Sequence, residues 1–164
     1  MPAAILTIVE AAPLLPPRGG LIGLDLGTKT IGVASSDPDR RLAAPVETVA
    51  RKQFTPDAQR ILALAGARQA AGFVLGLPVN MDGSEGPRAQ STRSFARNLA
   101  KLTELPIILW DERLSTAAVE RDMLAMDMSR ARRAEVVDQQ AAVFILQGAL
   151  DRLRFLGENA LSDR

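Results

Sequence analysis

Four acidic residues stand where chemistry could be done: Asp25, Asp111, Glu112 and Asp138. Asp25 lies inside the apolar run LIGLDLG, between Leu24 and Leu26. An ionised carboxylate there is costly unless it is paired or holds a metal ion. Gly23 and Gly27 flank it at period two, on the same face of a strand, and leave room for something to approach. Asp111 and Glu112 end the run IILWDER; neighbours on a strand face opposite ways, so one of the two turns inward. Asp138 heads the stripe 138, 141, 142, 145, 146, 149, the inward face of an amphipathic helix with an acid at its top. Each acid also has a plainer reading: satisfied by turn amides, paired with Arg113, or favoured at a helix start by the macrodipole. Taken together on separate elements, they make a site for one or two divalent ions. Two such ions about 4 Å apart can activate a water and steady the leaving oxygen of a phosphodiester.

Composition narrows the chemistry further. The chain of 164 residues contains no histidine and no cysteine. That removes Ser-His-Asp and Cys-His catalysis, thiolate chemistry and a disulfide framework. A metal must then be held by oxygen, which favours hard cations, Mg²⁺ or Mn²⁺. The net charge of +1 says little about partners, but 17 of the 20 cations are arginine, the better fork for phosphate. Candidate contacts to a polyanion are Lys29, Asn80 in the glycine-bearing loop Asn80–Gly86, and Arg93, Arg97 and Lys101, spaced by four. Arg113, Arg130, Arg132 and Arg133 extend the set. Any one of these is more commonly just a solvated side chain.

The elements that must position these groups follow from pattern. LIGLDLG and IGVASSD, joined by Thr28-Lys29-Thr30, read as a β-hairpin, with a third strand at about Ala44–Ala50. Thr55-Pro56-Asp57 reads as a helix start, Thr55 being the N-cap. GFVLGLP is a buried strand, Pro87 starts a helix to about Thr103, and IILWDER is the next strand. Ser115 or Thr116 caps a helix over 116–126, and after the basic loop MSRARR a last helix spans about 135–156. The order β-β-β-α-β-α-β-α-α implies an α/β fold with a mixed five-stranded sheet and helices on both faces. Residues 1–19, rich in proline, read as a flexible extension, 20–156 as the domain and 157–164 as a fraying tail. No run suits a signal peptide or a bilayer span, so a cytoplasmic protein is expected.

DLGTKTIGVASSD (25–37), GLPVNMDGSEGPRAQSTRSFARNL (76–99), DERLST (111–116) and DQQAAVFILQ (138–147) together resemble the YqgF family, also called RuvX. The resemblance covers about residues 21–152. It implies a ribonuclease H-like fold related to Holliday junction resolvases. It also implies a metal-dependent nuclease that matures the 5′ end of pre-16S rRNA, with junction resolution in DNA as the alternative. By similarity, Asp25 takes the first metal-binding position, Glu112 or its neighbour Asp111 the second, and Asp138 that of the last helix. In resolvases of this fold the second acid lies on the fourth strand. Here that strand reads FVLGLP and has no acid, so DER is the available source. Two other classes compete. DLGTKT also resembles the phosphate loop of actin-type ATPases, which need two such domains. A non-catalytic RNA-binding assembly factor would not need a buried acid cluster. The expected partner is structured nucleic acid, with the chain a monomer or a homodimer.

Overall fold

The computed structural model describes residues 2–114 and 130–162, the side chains of 130–138 and 160–162 excepted. The elements are β1 (Ile5–Leu6), α1 (Ile8–Ala11), β2 (Leu21–Leu26), β3 (Thr30–Ser36), β4 (Ala43–Ala50) and α2 (Phe54–Ala67). They continue with β5 (Gly72–Leu77), α3 (Pro87–Ala100), β6 (Ile107–Asp111) and α4 (Arg130–Ser162). A 3-10 turn over Glu112–Leu114 follows β6 directly. The strands form one sheet in the order β1-β6-β5-β2-β3-β4. β2, β3 and β4 are an antiparallel meander, while β5 runs parallel to β2, β6 to β5 and β1 to β6.

Alternation along the strands divides the core between two faces. Ile22, Leu24, Phe73, Leu75 and Ile107 point to one face, where they meet Ile61 of α2 and Phe95 and Leu99 of α3. Leu21, Ala34, Val74, Ile108 and Trp110 point to the other, against Ala142, Ile145, Leu146 and Ala149 of α4 and Ile8 of α1. The stripe predicted on the last helix is therefore the one that packs. Each fully buried Leu or Ile contributes about 1.5–3 kcal/mol.

Five strands were expected and six are found. The sixth comes from the segment read as a flexible extension. Ile5 and Leu6 pair with Ile107 and Ile108, and Ile8 and Ala11 are buried. A capping box closes α1: Glu10 N–H donates to Thr7 Oγ1, and Thr7 N–H to Glu10 Oε1. This apolar stretch covers the edge of β6, which would otherwise expose unpaired backbone groups.

Three boundaries also differ from the sequence reading. Helix α2 starts at Phe54 with Gln53 as N-cap, not Thr55, and Asp57 in its first turn accepts from Lys52 N–H at 3.0 Å. Helix α4 starts at Arg130, so positions 130–133 are helical and not a basic loop. It runs on to Ser162, so 157–162 continue the helix where a fraying tail was expected. The helix expected over 116–126, with its cap at Ser115 or Thr116, lies outside the described residues.

Candidate active site

The parallel strands β2, β5 and β6 end at the same edge of the sheet, where open sheets of this class hold ligands. Asp25 is the fifth of the six residues of β2 and pairs with Gly32 of β3. Its carboxylate belongs to the α4 face, because Leu21 two rungs earlier packs there. Asp25 is 3% exposed and Glu112 is 9% exposed. Such burial of two acids at one sheet edge departs from ordinary burial statistics.

The geometry separates Asp111 from Glu112. Asp111 continues the Ile107–Leu109 side of β6, which belongs to the α2/α3 face. There its carboxylate receives Arg113 Nε at 3.0 and 3.1 Å, Arg113 Nη2 at 2.7 Å and the Arg113 backbone N–H at 2.9 Å. The fork of Arg113 holds the Asp111 carboxyl below the usual carboxylate range. Glu112 follows Ile108 and Trp110 onto the α4 face instead.

Gly76 gives the Glu112 carboxylate its place over β5. Leu24 pairs with Leu75, and Gly76 pairs with Trp110, so Gly76 lies on β5 between the two acids. A Cβ at Gly76 would lie 2.7 Å from Glu112 Oε1 and 2.5 Å from Ile145 Cδ1. The Glu112 carboxylate thus occupies the space that a side chain on β5 would fill. The strand FVLGLP has no acid at this rung, and Glu112 leans over it from the turn that follows β6.

Gly23 plays a different part from the one expected. A Cβ there would lie 2.7 Å from Leu146 Cβ and 3.1 Å from Ala142 O. The room it leaves is filled by α4, not by a ligand. Gly27 lies in the hairpin turn, where its N–H donates to Thr30 O at 2.9 Å. The close approach at Gly23 sets the height of α4. Gln139 Nε2 donates to Thr48 Oγ1, and Ala43 N–H donates to Gln147 Oε1, so α4 runs antiparallel to β4 and β2. Its backbone carries position 138 one turn before Ala142, towards the Asp25 end of the sheet. The side chain of Asp138 lies outside the described residues, as do those of Arg132 and Arg133. Among the described residues, no group of three acids is assembled.

The expected substrate contacts are dispersed. Lys29 is exposed in the β2–β3 turn, beside the acid edge. Asn80 closes its loop by donating from Nδ2 to Ser84 Oγ at 3.0 Å. Arg93 is held by Glu85 through two bonds of 2.6 and 2.7 Å, and Arg113 is held by Asp111. Both charges are therefore already compensated. Arg97 is exposed and donates to Ser94 Oγ, and Lys101 lies beyond the last turn of α3.

Sequence reasoning missed Gly76 and Arg51. The signal for Gly76 was a second glycine in GFVLGLP, two residues after Val74, where a strand has no conformational need of one. Arg51 gave none. It follows β4, and its guanidinium donates to Gly27 O at 2.7 Å and lies 6.0 Å from the centre of the Phe95 ring.

Comparison with known proteins agrees with this architecture. Residues 19–152 match the family described as "RuvX: Holliday junction resolvase". A protein of Nitrobacter hamburgensis named "Putative pre-16S rRNA nuclease" is 73% identical over 156 residues, covering 95% of this chain and 96% of that protein. One of the same name from Rhodopseudomonas palustris strain TIE-1 is 74% identical, covering 95% of this chain and 98% of its own length. Among solved structures, Thermus thermophilus RuvC in complex with a Holliday junction substrate superposes with a TM-score of 0.50 at 12% identity. That match covers 82% of this chain and 96% of RuvC, and it supports the ribonuclease H-like fold. On the strength of the family match and the long, highly identical relatives, this chain belongs to the RuvX family.

Proposed function

We propose that this chain is a divalent-metal-dependent endonuclease that hydrolyses phosphodiester bonds and matures the 5′ end of pre-16S rRNA in the cytoplasm. The observation that carries the reading is the pair of buried acids, Asp25 and Glu112, on one sheet face with the side-chain-free Gly76 between them. The donor set fits a hard cation, because it is made of carboxylate oxygens in a chain without histidine or cysteine. Asp25, Glu112 and Asp138 would hold Mg²⁺ or Mn²⁺, with residues 20–156 as the nuclease domain. When bound, the ions supply an activated water and neutralise charge on the leaving oxygen.

The chain's own residues do the rest. Asp25 and Glu112 remain acceptors in a site closed from bulk water on the α4 side. The Asp111–Arg113 pair fixes the 3-10 turn, so that Glu112 leaves the strand towards Gly76. Lys29, Asn80, Arg97, Arg132 and Arg133 meet backbone phosphates around the cut. Arg93 and Arg113 contribute to that surface only when substrate competes with their carboxylates. The relatives' name favours pre-16S rRNA. The family's description keeps a second reading, cleavage of four-way DNA junctions. That reaction needs a symmetric dimer, so that two sites cut two strands.

The test is cleavage of a pre-16S 5′-end RNA fragment and of a synthetic four-way DNA junction, with Mg²⁺ or Mn²⁺, by wild type and by Asp25→Asn. Wild type is expected to cut the RNA, and the folded variant to lose more than about 100-fold. Junction cut in preference to RNA would put the resolvase reading first. A well-folded wild type that cuts neither substrate would overturn the nuclease reading.

A further inference from the structure

Besides Arg97 on the outer face of α3, three further cations, Arg51, Lys52 and Arg88, form no ion pair with a carboxylate among the described residues. These three line a groove on the other side of that helix. One hollow of about 270 Å³ is bounded by Arg51 and Lys52 on the β4–α2 connection, by Phe54 at the start of α2 and by Ser94 and Asn98 on α3. A second, of about 180 Å³, is bounded by Gly27, Thr28, Arg88 and Thr92. Arg51 and Ser91 line both and meet at 3.4 Å, so the two hollows adjoin and mark out a path across them. The path ends at the Gly27–Thr28 turn, two residues beyond Asp25.

Among the described residues, the cations along this path form no ion pair. Arg51 donates, among the described residues, to neutral oxygens, Gly27 O at 2.7 Å and Ser91 Oγ at 3.4 Å. Among the described residues, neither Lys52 nor Arg88 pairs with a carboxylate, and both are exposed. The acid that lines the path, Asp57, is buried and accepts from Lys52 N–H. Ser91, Ser94 and Asn98 add neutral donors on one exposed stripe of α3. Phe54 is half-buried, edge-on to Phe95 with ring centres 5.3 Å apart, and its lining position offers a surface for a base. The N-terminus of α3, with no side-chain cap, brings the positive end of its dipole to the same place.

We propose that this groove carries one single-stranded run of the substrate, its phosphates on Arg51, Lys52 and Arg88, and delivers it over the sheet edge to Asp25. The inference rests on the nuclease reading and names the path by which that site is fed. Small hydroxyl and amide side chains with one aromatic wall suit a flexible strand whose bases can turn aside.

The test separates this claim from that reading. Binding of a labelled single-stranded RNA and of the same RNA in a duplex is measured by fluorescence anisotropy in EDTA, from 50 to 200 mM salt. Wild type is compared with Lys52→Gln/Arg88→Gln and with Arg18→Gln/Arg68→Gln, which removes equal charge elsewhere. All three proteins are first matched by thermal melting. The groove variant is expected to bind single strands about ten-fold more weakly near 0.15 M salt, with the salt slope reduced by about 1.4. The distant variant is expected to match wild type. An unchanged slope in the groove variant, or an equal loss in the distant one, overturns the groove. A protein that binds through the groove yet cuts no RNA with Mn²⁺ overturns the nuclease reading and leaves the groove standing. A wild type that binds no RNA overturns both.

Discussion

Replacing Gly76 with alanine adds one methyl group where the Glu112 carboxylate lies over β5. The new carbon would lie 2.5 Å from Ile145 Cδ1, 2.7 Å from Glu112 Oε1 and 3.1 Å from Ile145 Cγ1. An ordinary carbon–oxygen contact is about 3.3 Å or more, so the carboxylate must retreat by about 0.6 Å. Ile145 is fully buried in the α4 core and Glu112 is itself buried, so neither side chain can give way without repacking. Overpacking of this kind costs about 1–3 kcal/mol, and each kcal/mol lowers the melting temperature by about 2–4 °C in a domain of this size. Metal ligands and catalytic groups must be held within about 0.5 Å of their productive geometry, and a shift of about 1 Å costs about 100-fold in rate. Gly76→Ala is therefore expected to stay folded, lose about 10- to 100-fold in Mn²⁺-dependent cleavage, and bind Mn²⁺ more weakly by calorimetry. Wild-type cleavage and Mn²⁺ affinity in a folded Gly76→Ala protein would refute the argument, because the Glu112 carboxylate would then not need the place it occupies.

Gly23→Ala meets Leu146 Cβ and Ala142 O, atoms that no rotamer change can move, so it is expected to destabilise more than Gly76→Ala. Thermal melting of the two variants side by side checks the order. Deleting residues 1–18 strips β1 and the buried Ile8 and Ala11 from the sheet edge. The truncated protein is expected to melt lower and to bind a hydrophobic dye, by about 1.5–3 kcal/mol for Ile8 alone. On the acid side, Asp111 is held below its usual value first by the Arg113 side chain, and Glu47 first by Arg60. Depressed carboxyl values add stability that is present above the unfolded values, about 3.9 and 4.3, and lost as pH falls through the folded ones. Arg113→Gln is thus expected to lessen the steepness of acid unfolding below about pH 4, as followed by circular dichroism.

The groups legible in the sequence were those whose environment is local. Asp25 declared itself because a charge inside LIGLDLG is wrong for a buried strand unless it has a task. The inward stripe of α4 was legible because helical periodicity alone fixes which residues share a face, and Ala142, Ile145, Leu146 and Ala149 are the ones buried. What stayed hidden depends on pairing between distant segments. That Arg93 is neutralised by Glu85 follows from a loop folding back eight residues, and the lining position of Arg51 follows from α3 packing beside the β4–α2 connection. The docking of residues 5–11 needed β6 to be an edge, which nothing in the first twenty residues announces.

The choice between Asp111 and Glu112 shows where local reasoning stops. Alternation required that one of them face inward, but the direction depends on which face α4 covers, and that is a tertiary fact. Once β5 is known to lie between β2 and β6, the remainder follows from sheet geometry. Two acids that approach a middle strand from either side can share one site only if that strand carries no side chain at that rung. Gly76 meets that condition, and its absent side chain is the complement of the acid that FVLGLP lacks. In the proposed metal site, Glu112 and Gly76 would thus act as one device. A Gly76→Asp change would put a carboxyl back on the middle strand, but in the space that Glu112 now fills. Combined with Glu112→Gln, it is expected to restore part of the Mn²⁺ affinity that Glu112→Gln alone removes. No gain over Glu112→Gln in a folded double variant would mean that the two positions do not serve one site.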